Sequence, residues 1–556
     1  MHHLFHRRDF IKTAAAMTGA SLLARPLLAA AAGRGFTHGV ASGDPDAHSV
    51  VLWTRYVGDK PTPLTWEVAR DLDFQSVIQK GTVVAGSDTD YTAKAIADGL
   101  PAGGWFYYRF TAPDGSRSET GRSRTLPQGR LSSLKLAVFS CSNLPFGYFN
   151  AYAHAAAQND FDMAVHLGDY FYEYPVGTYP SKDKAVAGRH LQPEHELIRL
   201  ADYRLRYNTY RMDPDLRALH RNYPMISIWD DHEIANDCNH DGAENHDPAT
   251  EGDWEARKAA ARQAYFEWLP MRGDLFRRYD FGDLASIFTL DTRLQGRTPQ
   301  LDYTAVLKGV DRSDPAAIVA ALAAFRDGAW SAPERAMMGP GKEAWLNAGL
   351  ADSRQSGRPW QVLAQQVLVG RSYAPAGLAK ALPPQTPDWL KARVQGAVLA
   401  ASVGLPQSAD AWAGYPAART RLLNGLRRNT KNAVVLAGDS HNAWASDLYA
   451  GDEYKTGARP AAVEFGGHSV SSPGLEGYFP LPEDQLARAL IDSSPELVWA
   501  RTAGRGYMAV TVTPEAAVCA WRFTGPEAVR SAALSQTRTM QVRASEGAGT
   551  AKLEAV

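Results

Sequence analysis

Four short apolar runs, each ending in side chains able to bind a metal, constrain this chain more than any other feature. They are KLAVFSCSN with Cys141, MAVHLGDYFYEY with Asp169 and Tyr172, MISIWDDHE with Asp230, Asp231, His232 and Glu233, and AVVLAGDSHNAW with Asp439 and His441. A short apolar run followed by a polar loop reads as a buried strand whose carboxyl end opens into a site, which is where open α/β sheets bind ligands. Four such ends converging would surround one centre with carboxylates, imidazoles, a phenol and a thiol.

The GD-x-x-Y spacing from Gly168 to Tyr172 lets one loop offer two kinds of oxygen. A carboxylate can bridge two cations, and a phenolate is a hard anionic donor that favours a trivalent ion such as Fe(III). Taken in order, Cys141, Asp169 with Tyr172, the DDHE group and the run Gly438 to His441 resemble the binuclear metallophosphatase series, whose usual pattern is D, GDxxY, GNHE and GHxH. Three positions depart from it: Cys141 stands for the first aspartate, Asp231 for the asparagine, and Asp439 for the first histidine of the last motif. Those departures, with WDDHE and GDYxYEY themselves, resemble the PhoD-type alkaline phosphatase family, which also includes phospholipase D-like phosphodiesterases. The resemblance covers nearly the whole chain.

It implies an N-terminal immunoglobulin-like β-sandwich followed by an α/β metallophosphatase domain, a two-sheet sandwich flanked by helices. It also implies an Fe(III) site of Cys141, Asp169, Tyr172 and His441. Asp169 would bridge to a Ca(II) site completed by Asp439 and either Asp231 or Asn236, whose amide carbonyl suits calcium. His232 takes the place of the GNHE histidine, which in the wider superfamily steadies the transition state or protonates the leaving group. Asp230 reads as a support for His232 or its loop rather than a ligand. Arginine is the expected phosphate clamp, because the guanidinium fork matches phosphate oxygens. Arg293 in LDTR is the candidate, beside Asn143 two residues beyond Cys141, whereas Arg204, Arg206 and Arg211 read as ion-pair partners.

Outside the motifs, His6-Arg7-Arg8-Asp9-Phe10-Ile11-Lys12 opens a mild, alanine-rich apolar stretch that runs to about Ala32 and is broken by Arg25 and Pro26. It is too short and weak to span a bilayer permanently. Residues 1–32 read as a signal for the twin-arginine export machinery, with small residues for cleavage at Ala30 to Ala32, so a periplasmic or secreted location is expected. That route carries folded proteins, which suits a metal inserted before translocation.

Residues 36–127 hold the β-type segments SVVLWTRY, LTWEVAR, GTVVAG and WFYYRFTAP, the last followed by a turn signal at Asp114-Gly115, as a small antiparallel sandwich would. Residues 124–133 look like a linker, and the catalytic domain is expected over 135–540. Trp254, Ala261, Tyr265 and Trp268 recur at helical spacing there. The alanine-rich stretch 301–350 reads as a helical insertion with a mobile loop, and the chain is expected to end in a polar tail without core character.

A length of 556 residues calls for two domains, and 59 basic against 60 acidic residues leave no electrostatic footprint for nucleic acid. Three cysteines cannot all pair, which leaves Cys141 free to serve as a thiolate and Cys519, inside EAAVCAWRF, as a buried hydrophobe. Phosphate esters hydrolyse slowly because their charge repels a nucleophile; closely spaced cations neutralise it and supply hydroxide to attack phosphorus. The expectation is an exported metal-dependent phosphoesterase acting on small phosphate esters or phospholipids, with a phospholipase D-like phosphodiesterase as the alternative. A redox or non-catalytic iron protein ranks far behind, since no haem or iron–sulfur spacing is present.

Overall fold

The computed structural model describes residues 33–556 except 312, 480, 546 and 548. The expected export signal, residues 1–32, lies outside them.

Seven strands precede the first motif: β1 (Gly35–Gly43), β2 (Val50–Val57), β3 (Thr62–Ala69), β4 (Val77–Ala85), β5 (Thr92–Ala97), β6 (Trp105–Thr111) and β7 (Gly121–Arg124). β4-β3-β6-β7 form one antiparallel sheet, while β1-β2-β5 are the end of a larger one. In β6 the inward set Phe106, Tyr108 and Phe110 alternates with more exposed neighbours, as a half-buried strand requires. These rings pack with Leu52, Leu64 and Val68 in a core shared by the two sheets. The unit expected over 36–127 is not joined to the rest by the 124–133 stretch alone. β1 pairs in parallel with β10 (Met225–Ser227) through Gly43 and Met225, at a contact so close that a Cβ on Gly43 would lie 2.5 Å from the Met225 carbonyl.

The remaining strands are β8 (Leu134–Phe139), β9 (Met163–His166), β11 (Arg277–Phe281), β12 (Ala285–Thr289), β13 (Trp360–Ala364), β14 (Asn432–Ala437), β15 (Ala443–Leu448), β16 (Ala462–Gly466), β17 (Leu497–Arg501), β18 (Gly506–Val512), β19 (Ala516–Thr524), β20 (Leu534–Arg543) and β21 (Glu554–Ala555). The larger sheet runs β21-β20-β19-β18-β8-β9-β10-β1-β2-β5, and the second runs β11-β12-β13-β14-β16-β15-β17. β8, β9 and β10 are parallel neighbours, as are β12, β13, β14 and β16. Val138, Val165 and Ile226 from the first sheet share one core with Val362, Val434 and Phe465 from the second. Strands buried on both faces carry the near-continuous apolar runs that the motifs follow.

Helices cover the outer faces, among them Pro340–Gln355 and Pro416–Asn429, whose Leu346, Leu350, Leu422 and Leu426 pack on the second sheet. Trp254, Ala261, Tyr265 and Trp268 all lie on the buried face of the helix Trp254–Trp268, which Asp253 caps by accepting from the Ala256 N–H. In the alanine-rich stretch, Leu322 and Trp330 pack with Leu405.

The chain end corrects the expectation of a tail without core character. The boundary at 540 falls inside β20, Met540 and Val542 are buried, and the Thr550 hydroxyl donates to the Ala461 carbonyl at 3.2 Å. Apart from Leu534, only Met540 and Val542 of this strand are apolar, so its burial is hidden from a composition reading.

Candidate metal centre

The first three motifs leave the carboxyl ends of β8, β9 and β10, and the fourth leaves β14 in the facing sheet. The sheets meet there: the Val470 N–H donates to the Ser140 carbonyl at 3.0 Å, and a Cβ on Gly438 would lie 2.7 Å from Ser140 Cβ. Gly168 has φ +105° and a Cβ on it would come within 2.4 Å of Asp230, so the glycine of the GD pair is what lets two neighbouring motifs touch. Cys141, Asp169, Asp439 and His441 adopt φ of 61°, 54°, 60° and 62°. Non-glycine residues in this region store strain and persist where surrounding structure over-determines them, a condition met most often at functional sites. Part of that structure is Glu233, whose carboxylate accepts the N–H groups of Asp169, Tyr170 and Asp230 at 3.1, 2.6 and 2.9 Å.

Two trios of donor atoms lie here, each within 4.8 Å: Cys141, Asp169 and His441, and Asp169, Asp231 and His232. Asp169 belongs to both. The Tyr172 hydroxyl donates to Asp169 Oδ2 at 3.0 Å, lies 2.9 Å from His441 Nε2, and accepts from Ser472 Oγ at 2.8 Å. All seven residues are buried. Asp439 stands outside both trios, with Oδ1 3.7 Å from Arg293 Nη2.

Asp169 Oδ1, Asp231 Oδ1, Asn236 Oδ1 and Asn143 Oδ1 are buried with no hydrogen-bond partner among the described residues. An unmade hydrogen bond in the interior is costly, and the unpartnered carboxylate oxygens of Asp169 and Asp231, which share a trio, fit a bound cation. Asp231 and Asn236 each keep one such oxygen, Asp231 accepting the Asp237 N–H through Oδ2 and Asn236 pointing its amide nitrogen at Glu244. Asn143 donates through Nδ2 to the Tyr179 carbonyl at 3.3 Å.

Electrostatics point the same way. Burial, then the Asp231 charge, push the Asp169 carboxyl well above the usual range, and burial does the same to the Cys141 thiol and the Tyr172 phenol. Burial drives the His441 imidazole well below its ordinary value. Asp231 would also be raised by burial, but His232 and Arg293 hold it at about 2. With protein groups alone the centre sheds charge; a cation reverses that preference by favouring deprotonated ligands. The donor set therefore fits a metal.

Arg293 differs from the expected phosphate clamp. Its guanidinium is buried, with Nε 2.5 Å from Asp230, Nη1 2.6 Å from Asp410, and Nη2 3.8 and 3.7 Å from Asp231 and Asp439. Its charge is spent on protein carboxylates. Asp230 is thereby an anchor for Arg293 and stands outside both trios.

Sequence reasoning missed Asp410, which also binds Arg297, and Glu173, which meets His232 Nδ1 at 2.7 Å. Glu173 had a signal, its place inside GDYFYEY. Asp410 had none, lying in a loop far from any motif.

Residues 136–521 match the family model for PhoD-like phosphatase, and residues 22–127 match that for the PhoD-like phosphatase N-terminal domain. Alkaline phosphatase D of Bacillus subtilis (strain 168) is 33% identical over 547 residues, spanning 92% of this chain and 83% of that protein. The solved structure of PhoD superposes with a TM-score of 0.73 at 31% identity, over 93% of this chain and 92% of that one.

Proposed function

This chain belongs to the PhoD-like phosphatase family, and from that premise we propose a metal-dependent phosphoesterase acting on phosphomonoesters, phosphodiesters or both. The observation that carries the reading is the place of Asp169 in two donor trios at once. Cys141, Asp169, Tyr172 and His441 would hold Fe(III), for which thiolate and phenolate are apt donors. Asp169, Asp439 and Asp231 or Asn236 would hold Ca(II), which takes carboxylate and amide oxygens. Bound cations supply charge neutralisation and acidify water.

The chain's own groups do the rest. Asp169 keeps the two sites together. His232, whose ring lies 4.2 Å from that of Tyr172, presents Nε2 to the reacting phosphoryl group and gives a hydrogen bond or a proton to the leaving oxygen. Asn143 sits at the Cys141 end of the centre, where its amide adds a hydrogen bond to phosphate. Arg293 balances the carboxylates around it and does not clamp substrate.

Twin-arginine export and a periplasmic or secreted location belong to the same proposal, resting on Arg7-Arg8 and the apolar stretch behind them. The immunoglobulin-like class of the N-terminal unit rests on β1-β2-β5 sharing a core with β4-β3-β6-β7.

Metal analysis of purified protein beside nitrophenyl mono- and diesters tests the reading. Iron and calcium with ester turnover are expected, and the ratio of the two activities ranks phosphatase against phosphodiesterase. Ester turnover indifferent to metal removal would overturn it.

A further inference from the structure

We propose that Ser471 is a positioning residue for the metal centre, holding the loop that aims the Cys141 thiol. The inference rests on the place given above to Cys141 among the Fe(III) donors. Ser471 belongs to the run Gly467-His468-Ser469-Val470-Ser471-Ser472, which follows β16 and carries none of the four motifs. Its hydroxyl accepts the Asn143 N–H at 2.8 Å and donates to the Asn143 carbonyl at 2.8 Å, across 328 positions of chain. Both residues are buried.

Cys141 is the residue that needs such a hold. Its φ of 61° turns the chain sharply as it leaves β8, and a non-glycine residue keeps that conformation only where its surroundings enforce it. Before the turn the chain is fixed by β18 and β9 on either side of β8. At the turn the Cys141 N–H donates to the Gly168 carbonyl at 3.1 Å, and the Cys141 carbonyl accepts the Ser471 and Ser472 N–H groups, each at 3.4 Å. After it the Ser142 N–H donates to the Asp169 carbonyl at 2.8 Å, and Asn143 is tied to Ser471 by both its N–H and its carbonyl. The 3.4 Å contacts are long for N–H···O bonds, and the two bonds to the Ser471 hydroxyl are the shortest between these segments. One hydroxyl can accept and donate at once, which a methyl group cannot, and a buried peptide group left without a partner is costly. Without it Asn143, and with it the thiol two residues back, can shift by the fraction of an ångström that a metal site does not tolerate.

Chelator competition on the iron- and calcium-loaded protein reads this without recourse to turnover. Ser471→Ala should release Fe(III) at chelator strengths on the order of tenfold lower than the parent, the smaller end of what a residue supporting a metal ligand is worth. Ca(II), whose proposed donors do not include Cys141, should be retained as in the parent. Ser471→Thr keeps the hydroxyl and should hold Fe(III) as the parent does. Ser471→Cys, nearly the same in volume but a weaker donor and acceptor, should fall between, and it serves if the alanine variant does not fold. Melting of the metal-free forms is measured alongside.

Fe(III) held by Ser471→Ala as by the parent would overturn the proposal, and a lowered melting temperature of the metal-free form would then make Ser471 a support of the fold alone. Equal loss of Fe(III) from Ser471→Ala and Ser471→Thr would also overturn it, by assigning the effect to packing. So would equal loss of Fe(III) and Ca(II), which would place the effect on the centre as a whole. A parent protein that takes up no Fe(III) would instead remove the iron site from the proposed function, and this inference with it.

Discussion

The Tyr172 hydroxyl lies 3.0 Å from Asp169 Oδ2, so two side chains of one loop meet at a single point. It also lies 2.9 Å from His441 Nε2, which joins that loop to the last motif. A phenolate on Fe(III) absorbs visible light, which neither a calcium ligand nor a core tyrosine does. Tyr172→Phe preserves the ring tilted against His232 and deletes only the oxygen. We expect altered visible absorption and lowered turnover in the iron-loaded variant, read as a difference spectrum because the Cys141 thiolate adds its own intensity. An unchanged spectrum and rate would remove Tyr172 from the centre.

Asp169 and His232 share a trio but should fail differently. Asp169→Ala deletes the one carboxylate common to both sets of donors, so metal and turnover should be lost together. His232→Ala should retain metal while turnover falls on the order of a hundred- to ten-thousand-fold, the usual cost of losing a general acid. Metal analysis of the two variants side by side decides the point; equal depletion would make His232 a ligand.

Removing metal should make stability depend on pH. Burial and the neighbouring carboxylates raise the folded-state pKa of Asp169 well above the unfolded value. Between those two values the folded chain binds more protons than the unfolded one, so stability is fully present below the unfolded pKa and lost as pH rises through the folded one. Chelator-treated protein should therefore melt at progressively lower temperature as pH increases from acid towards neutral, while metal-loaded protein should not follow that slope. Parallel pH profiles for the two forms would contradict a metal held by Asp169.

The residues of the two donor trios could be picked out in the sequence because each lies within a few residues of a strand end, where an apolar run stops and a loop begins. What surrounds them was not. Arg293 meets Asp410 across 117 positions of chain, and no periodicity announces such a contact. Glu173 is one more polar residue in an aromatic loop until its partner on β10's loop is known. The parallel pairing of Gly43 with Met225 is likewise invisible, since it depends on neighbours in space rather than on local turn chemistry. The donor side chains are written locally, and their support is written in tertiary contacts.

Arg293 separates the two readings given for it. A phosphate clamp touches only substrate, so its removal would raise KM and leave stability alone. The observed guanidinium instead binds Asp230 and Asp410, with Asp231 and Asp439 within 3.8 Å. Arg293→Met would leave these buried carboxylates without their countercharge, at a cost of about 3–5 kcal/mol, the usual result of removing one partner from a buried ion pair. Arg293→Lys keeps the charge, but one ammonium cannot span Asp230 and Asp410 as the planar fork does, so an intermediate loss is expected. Denaturant unfolding of the three proteins at one metal concentration measures this order directly. Unchanged midpoints with a raised KM would return Arg293 to the substrate.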